Sequence, residues 1–251
     1  MEDIKELINQ TINRVVLERG KSMKTRYRPP LLGYASAGNP LFQQLKTAVG
    51  PEHLLPQDLL SGAATVVCFY LPFTGELVKN NREHAYVARS WAEAYIETNT
   101  LISLCCEELA TTLAAYGIAA AWQKPTHNFD PAKLSAQWSH KHIAYICGMG
   151  TFGVHQMLIT PYGCAGRFGS LVIDRTLTPS PQPAEQFCFY HRNGSCLNCV
   201  KKCPSGALTR EGLDKQKCYS YLLEVDAFFA DLGLCDACGK CACCGPCAVI
   251  D

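Results

Sequence analysis

Apolar residues Ile4, Leu7, Ile8, Ile12, Val15 and Val16 recur at helical spacing over residues 3–19, and Gly20 gives the run a stop; together they predict a packing helix. The next stretch, 21–40, carries Lys21, Lys24, Arg26 and Arg28 ahead of Pro29-Pro30 and reads as a solvated surface loop. Residues 64–71 form an unbroken apolar, β-rich run ended by Pro72, the pattern of a buried strand. From 84 to 116 the chain is compatible with one long helix capped at Gly117, and the charges Arg89, Glu93, Glu97, Glu107 and Glu108 exclude a membrane helix there. Cys105 and Cys106 lie inside that helix, where adjacent positions point apart, so they read as packing residues. Further strands are expected at 118–122, 157–161 and 170–174. The proline-rich segment 178–183 reads as a linker and sets a domain boundary.

The alternation of core and surface positions stops being informative in the last quarter, where eleven of the 16 cysteines fall between Cys188 and Cys247. They run Cys188, Cys196-x2-Cys199-x3-Cys203-Pro204, Cys218, then Cys235-x2-Cys238-x2-Cys241-x-Cys243-Cys244-x2-Cys247. A disulfide framework needs export, and Met1-Glu2-Asp3-Ile4-Lys5-Glu6 has neither the basic nor the apolar region of a signal peptide. A zinc ribbon built from Cys196, Cys199, Cys235 and Cys238 leaves Cys203, Cys218 and the tail unexplained. The run C-x2-C-x3-C-P is the right-hand part of the bacterial ferredoxin signature, whose closing cysteine serves the other cluster of a pair. By that crossed logic Cys203, Cys218, Cys235 and Cys238 are expected on one [4Fe–4S] cluster. Cys196 and Cys199, with Cys188 and one of Cys241, Cys243 or Cys244, are expected on the other. The first cysteine of the full signature would fall on Asn193, for which Cys188 is the nearest upstream substitute.

A formal net charge of +1 gives no general field for nucleic acid or an anionic membrane, so neither is expected as a partner. No run of eighteen apolar residues occurs and no adjacent Arg-Arg pair signals twin-arginine export, which makes the cytoplasm the expected compartment. Gly148-x-Gly150-x-x-Gly153 matches the dinucleotide fingerprint, but the segment beyond it, Met157 to Pro161, reads as a strand running into a turn rather than the helix a Rossmann site needs.

Gly148-Met149-Gly150-Thr151-Phe152-Gly153, the downstream Leu158-Ile159-Thr160-Pro161-Tyr162-Gly163, and Lys217-Cys218-Tyr219-Ser220-Tyr221-Leu222 within the cysteine region resemble the epoxyqueuosine reductase family. The resemblance covers most of the chain and implies an α+β protein: a nitroreductase-like α/β core of the cobalamin-binding type over 1–178, then a bacterial ferredoxin-like double [4Fe–4S] domain over 184–251. It implies an oxidoreductase whose clusters pass electrons to a cobalamin held by Gly148, Met149, Gly150, Thr151, Phe152, Gly153, His155, Leu158, Pro161, Tyr162 and Gly163. A low-potential donor such as ferredoxin or flavodoxin would supply the electrons, and a small molecule or corrinoid protein would be the substrate. FMN is the alternative cofactor, and a ferredoxin-type electron carrier is the alternative function. The family's catalytic aspartate should lie about a dozen residues before the glycine loop, where Asp130 is the nearest acid. Tyr145 and Tyr162 are further candidate proton donors, and His127, His140, His142 and His155 flank the loop as candidate donors or cobalt ligands.

Overall fold

The computed structural model describes residues 3–124 and 129–250. Its core elements are α1 (Ile4–Gly20), β1 (Leu31–Ser36), α2 (Leu41–Ala48), α3 (Pro56–Leu59), β2 (Thr65–Pro72), α4 (Gly75–Glu83), α5 (Arg89–Ala114), β3 (Ala120–Ala121), β4 (Phe129–Asp130), β5 (Ser135–Ala136), α6 (His140–Ile146), β6 (Thr151–Phe152), β7 (Leu158–Ile159) and β8 (Gly166–Ile173). Then come α7 (Phe189–Asn193), α8 (Asn198–Lys201), α9 (Lys215–Phe228) and α10 (Lys240–Cys243).

Four antiparallel strands pair in the order β1-β2-β8-β3. All of β2 is buried, which is why its sequence shows no polar alternation. Its side chains still alternate in direction. Val67, Phe69 and Leu71 join Ile8, Ile12 and Leu109 of α1 and α5 on one face, while Val66, Cys68 and Tyr70 join Phe42 and Ile143 of α2 and α6 on the other. The result is a sheet between two helical layers, the α+β arrangement expected. Gly169 of β8 allows the close fit, because a Cβ there would stand 2.3 Å from the Phe69 ring. Cys68, Cys105, Cys106 and Cys147 are buried in this core, and burial raises the thiols of Cys68, Cys105 and Cys106.

Two expectations are revised. The stretch 21–40 contains strand β1, an edge strand too short and too interrupted by Gly33 to announce itself. The helix expected over 84–116 begins only at Arg89; α4 ends at Glu83, and the buried Asn81 side chain accepts from the Ala88 backbone N–H to reset the chain direction. The proline-rich segment lies along the core: Ser180 exchanges hydrogen bonds with Tyr34, and the Pro181 carbonyl sits where a Cβ on Gly148 would be.

The end of the chain returns to the core. Cys164 and Ala165 donate backbone hydrogen bonds to Cys247 and Ala248 at 2.9 and 3.0 Å. Arg28 clamps the junction, donating to the Tyr162 and Ile250 carbonyls. Gly163 has φ +98°, and a Cβ there would lie 2.4 Å from the Ala248 carbonyl oxygen, so strain and collision coincide at this position. Gly163→Ala is expected to lower the unfolding free energy by about 1–3 kcal/mol, read as a lower urea midpoint at unchanged m value. Gly62→Ala, whose Cβ would meet only an ordinary contact at 3.6 Å, should stay within about 0.5 kcal/mol of wild type.

Candidate iron–sulfur site

The thiol-rich segment is seated on α4 and α5. Trp91 lies under Gly239, where a Cβ would come within 2.1 Å of the indole, so the turn that precedes α10 requires glycine. Asn81 donates to the Cys238 carbonyl at 3.1 Å and to the Cys243 sulfur at 3.6 Å. Lys240 returns the contact through hydrogen bonds to the Asn81 and His84 carbonyls. The Tyr95 hydroxyl donates to Asp236, and Arg167 stacks over the Tyr95 ring at 4.3 Å. These contacts fix the backbone that carries Cys238, Cys241 and Cys243.

The cysteines then fall into two groups. Burial raises the Cys241 thiol, and the neighbouring thiols of Cys238, Cys218, Cys244 and Cys203 push it the same way. Cys238 is raised to about 11, first by burial and then by Cys218 and Cys203. Cys203, Cys218, Cys238 and Cys241 also line one cavity. Burial acts most strongly on Cys203 and raises it, yet its thiol ends below the ordinary range, because the Ser205 hydroxyl and the N–H groups of Leu208, Ala207 and Ser205 favour the thiolate. The Leu208 N–H reaches the sulfur at 3.4 Å.

The second group is Cys196, Cys199 and Cys244. Cys244 is raised to about 12 by burial and then by Cys199 and Cys247, with Cys196 adding a weaker push. Cys199 is raised to about 11 by burial, with Cys247, Cys188 and Cys196 contributing. Cys188, the N-cap of α7, is buried nearby.

Of the thiols expected together, Cys203, Cys218 and Cys238 line this cavity and Cys235 does not, while Cys241 does. Cys235 is fully buried, and besides burial the carboxylates of Asp226 and Asp236 raise it. Among the tail thiols, Cys244 has Cys199 and Cys247 as neighbours, while Cys243 accepts a hydrogen bond from Asn81. Sequence register alone could not make these choices, because the tail offers a cysteine at nearly every spacing.

The cavity has a volume of about 270 Å³. Phe73, Trp91 and Tyr95, the cationic Arg167 and Lys141, and the first thiol group all line it. The Arg167 Nε is buried without a protein partner. Burial, then Lys215, lowers the Lys141 ammonium, which donates to the Gln156 carbonyl at 2.9 Å. Lys141 is the residue that sequence reasoning missed; in Ser-His-Lys-His it looks like ordinary helix-start polarity.

Of the residues expected to hold the cofactor, His155 lines this cavity. The glycines close on the protein itself: Gly148 on Pro181 and Gly150 on the Ile159 carbonyl, with Gly153 facing the side chains of His155 and Ile159. Met149 and Leu158 are core residues. Thr151 binds Gln186 and the Phe187 N–H, Phe152 packs on His142 and Tyr145, and Pro161, Tyr162 and Gly163 form the turn beneath the tail, with Arg28 over the Tyr162 ring. Neither Asp130 nor Tyr145 lines the cavity. Asp130 caps Ala132 and Lys133 on the β4–β5 hairpin, whose Phe129 packs against Tyr219, and Tyr145 is 39% exposed. His127 lies outside the described residues.

A helix-flanked sheet with two convergent thiol groups docked on it defines an α+β protein of the iron–sulfur class. No family model matches the chain. It is 34% identical over 196 residues to an epoxyqueuosine reductase of Listeria monocytogenes, covering 75% of this chain and 48% of the relative. The chain spans about half the length of the curated relatives it matches. An epoxyqueuosine reductase solved with a tRNA-Tyr epoxyqueuosine-modified stem loop superposes with a TM-score of 0.61 at 20% identity, over 98% of this chain and 66% of that one. A reductive dehalogenase, described as suggesting a mechanism for B12-dependent dehalogenation, superposes with a TM-score of 0.54 at 14% identity, over 76% of this chain and 27% of that one.

The chain is epoxyqueuosine reductase-like over three quarters of its length, and it shares its fold with a reductive dehalogenase. B12 chemistry is named for the dehalogenase, and these relatives give FMN, the expected alternative cofactor, no support. The exclusion of nucleic acid from the expected partners is overturned by the stem-loop complex. Net charge misled because it averages over the whole chain, whereas a nucleic acid is met by one surface. Among the described residues no helix is long and apolar enough to cross a membrane.

Two histidines beside the cavity make a pH prediction. Burial lowers His140 to about 4, with Arg167 adding to it. His142 is lowered to about 4 by burial and then Lys141. Both folded values lie below the unfolded one, so the unfolded chain takes up protons first and stability falls as pH drops from about 6.5 towards 4. The unfolding free energy from urea titration should therefore fall between pH 7 and 5.5, by on the order of 1 kcal/mol for the buried His140. His140→Asn should flatten that dependence.

Proposed function

We propose that the chain is an iron–sulfur reductase that carries two [4Fe–4S] clusters and a cobalamin and acts on a modified nucleoside of RNA, with epoxyqueuosine in tRNA the substrate its relatives indicate. The observation that carries this reading is that Cys203, Cys218, Cys238 and Cys241 line one cavity together with aromatic and cationic side chains. Four soft thiols around one cavity are the donor set a cubane cluster takes. In this reading residues 184–251 form the cluster module and 1–178 the core.

The fit to cobalamin rests on the rest of the lining. Phe73, Trp91 and Tyr95 offer apolar surface, with the Phe73 and Trp91 rings edge to face, and the buried, unpartnered Nε of Arg167 offers a donor to an amide or phosphate of a large ligand. A volume of about 270 Å³ admits part of a corrin, so the open side of the cavity must carry the rest. Bound cobalamin supplies the low-potential reduction of a carbon–oxygen bond. The chain's own residues orient the group and bring a proton. Removing an epoxide oxygen as water consumes an electron pair and a matching pair of protons, and Lys141 Nζ is the cationic donor on the cavity wall beside Cys218 and Cys241. Its lowered pKa brings it closer to the neutral range in which a proton donor works best.

The test is anaerobic purification and reconstitution with iron, sulfide and hydroxocobalamin, then assay on an epoxyqueuosine-containing tRNA stem loop. About eight irons and one retained corrinoid per chain, with conversion of the stem loop, are expected. Full iron without retained cobalamin would leave an electron carrier in place of the reductase. Arg167→Ala should lower cobalamin retention at unchanged iron content. Lys141→Gln should keep both cofactors and cut turnover by about 10²–10⁴-fold; unchanged turnover would remove Lys141 from the mechanism.

A further inference from the structure

Cys164 and Cys247 stand outside the cluster ligands expected from the sequence, and the fold brings them together where the tail meets the core. The Cys164 N–H donates to the Cys247 carbonyl at 2.9 Å. A direct bond of that kind holds the two Cα atoms no further apart than a disulfide allows, about 6.8 Å. The two sulfurs lie within 4.8 Å of each other and of His155 Nε2. Nε2 is 3.5 Å from the Cys164 sulfur and 3.6 Å from the Cys247 sulfur, so the imidazole stands beside the line joining them and leaves their direct approach open.

The three atoms are close enough to hold a metal ion, but the far side of the imidazole opposes it. Its Nδ1 accepts the Met157 backbone N–H at 3.1 Å. A neutral ring with Nδ1 as acceptor carries its proton on Nε2, where the metal would have to bind. Histidines that ligate metals show the reverse, donating from the ring nitrogen not bound to the metal. The Nε2 proton is therefore directed to sulfur.

The two sulfurs are not equivalent. Cys164 is 1% exposed, and its thiol has the Ala242 carbonyl to donate to at 3.5 Å. Cys247 is half-buried, and its sulfur receives the His155 N–H. A sulfur that accepts from an N–H is favoured as the thiolate, the form that attacks disulfides. An accessible thiolate beside a buried second thiol is the arrangement of a redox-sensing pair.

We propose that Cys164 and Cys247 form a reversible disulfide that fastens the tail to the core, with Cys247 the attacking sulfur, Cys164 the resolving one and His155 the residue that positions both. The oxidant is a low-molecular-weight disulfide such as that of glutathione. The Cys247 thiolate attacks one of its sulfurs, a mixed disulfide forms and a thiolate leaves. Cys164 gives up its proton to that thiolate and attacks Cys247; the protein disulfide forms and the second thiolate leaves. Two protein sulfurs are oxidised, and the small disulfide is reduced to a thiol and a thiolate. Because His155 and Cys164 also line the cavity, the change reaches the wall of the proposed cofactor site. This disulfide stands apart from the cluster reading and requires only that Cys247 is free of iron.

The experiment equilibrates the full chain, anaerobically reconstituted with iron and sulfide, in glutathione buffers from reducing to oxidising. Free thiols are trapped in acid, and disulfides are mapped by mass spectrometry alongside iron and zinc content. At the oxidising end a linked Cys164–Cys247 peptide is expected with iron retained, and excess dithiothreitol should remove it. Cys164→Ser should stop at a glutathione adduct on Cys247, Cys247→Ser should acquire neither, and Cys188→Ser should form the link as wild type does. His155→Leu should form it about 3–10-fold more slowly, at a rate that climbs with pH where the wild-type rate is flat. Oxidised wild-type protein without the linked peptide overturns the proposal. So does loss of about four irons in Cys247→Ser, which would make Cys247 a cluster ligand, or one zinc per chain that disappears in the His155, Cys164 and Cys247 variants alike. Protein that forms the link but takes up no iron sinks the two-cluster reading and leaves the disulfide standing.

Discussion

The return of the tail to the core, through the paired backbones of Cys164–Ala165 and Cys247–Ala248, is the constraint on which the site depends. It puts a glycine turn from the middle of the sequence against the last residues, and only there do His155, Cys164 and Cys247 meet. Gly163 makes the approach possible by lacking a Cβ, and Arg28 secures it from a third segment. Without that closure the second thiol group has no wall on the core side.

The thiols themselves set an opposing demand. Burial and mutual repulsion raise Cys199, Cys238, Cys241 and Cys244 together. Thiols in such a setting do not ionise readily by themselves, and a cation in their midst is what makes the arrangement favourable. The N–H groups around Cys203 work in the same direction. The site is thus shaped for a charged guest, while the sheet and its helices are held by apolar packing that needs none.

The sheet was legible in the sequence where burial on both faces left a continuous apolar run, as in β2, and α1 was legible from its periodicity. Edge strand β1 was not, since half-buried positions around a glycine carry no distinct period. The iron–sulfur character could be read from C-x2-C-x3-C-P. The partition of ligands could not, because Cys235, Cys238, Cys241, Cys243, Cys244 and Cys247 offer a thiol at nearly every spacing, and the turn that leads into α10 is fixed by Trp91 beneath Gly239, from a distant part of the chain. The glycine loop signalled close approach correctly, but the partners are Pro181 and Ile159 rather than open space for a ligand. Asp130 was chosen by distance along the chain, and the fold places it on a hairpin outside the cavity.

The two thiol groups draw their members from opposite ends of the module: Cys203 and Cys218 with Cys238 and Cys241, Cys196 and Cys199 with Cys244. The last stretch is therefore tied at alternating points to the first, like a seam stitched from both sides. Such stitching makes the order of the module depend on both ends at once, beyond the backbone pairing that already ties its tail to the core. A cut or a misplaced residue at either end of the module would therefore be felt at both thiol groups, so the two stand or fall as one unit.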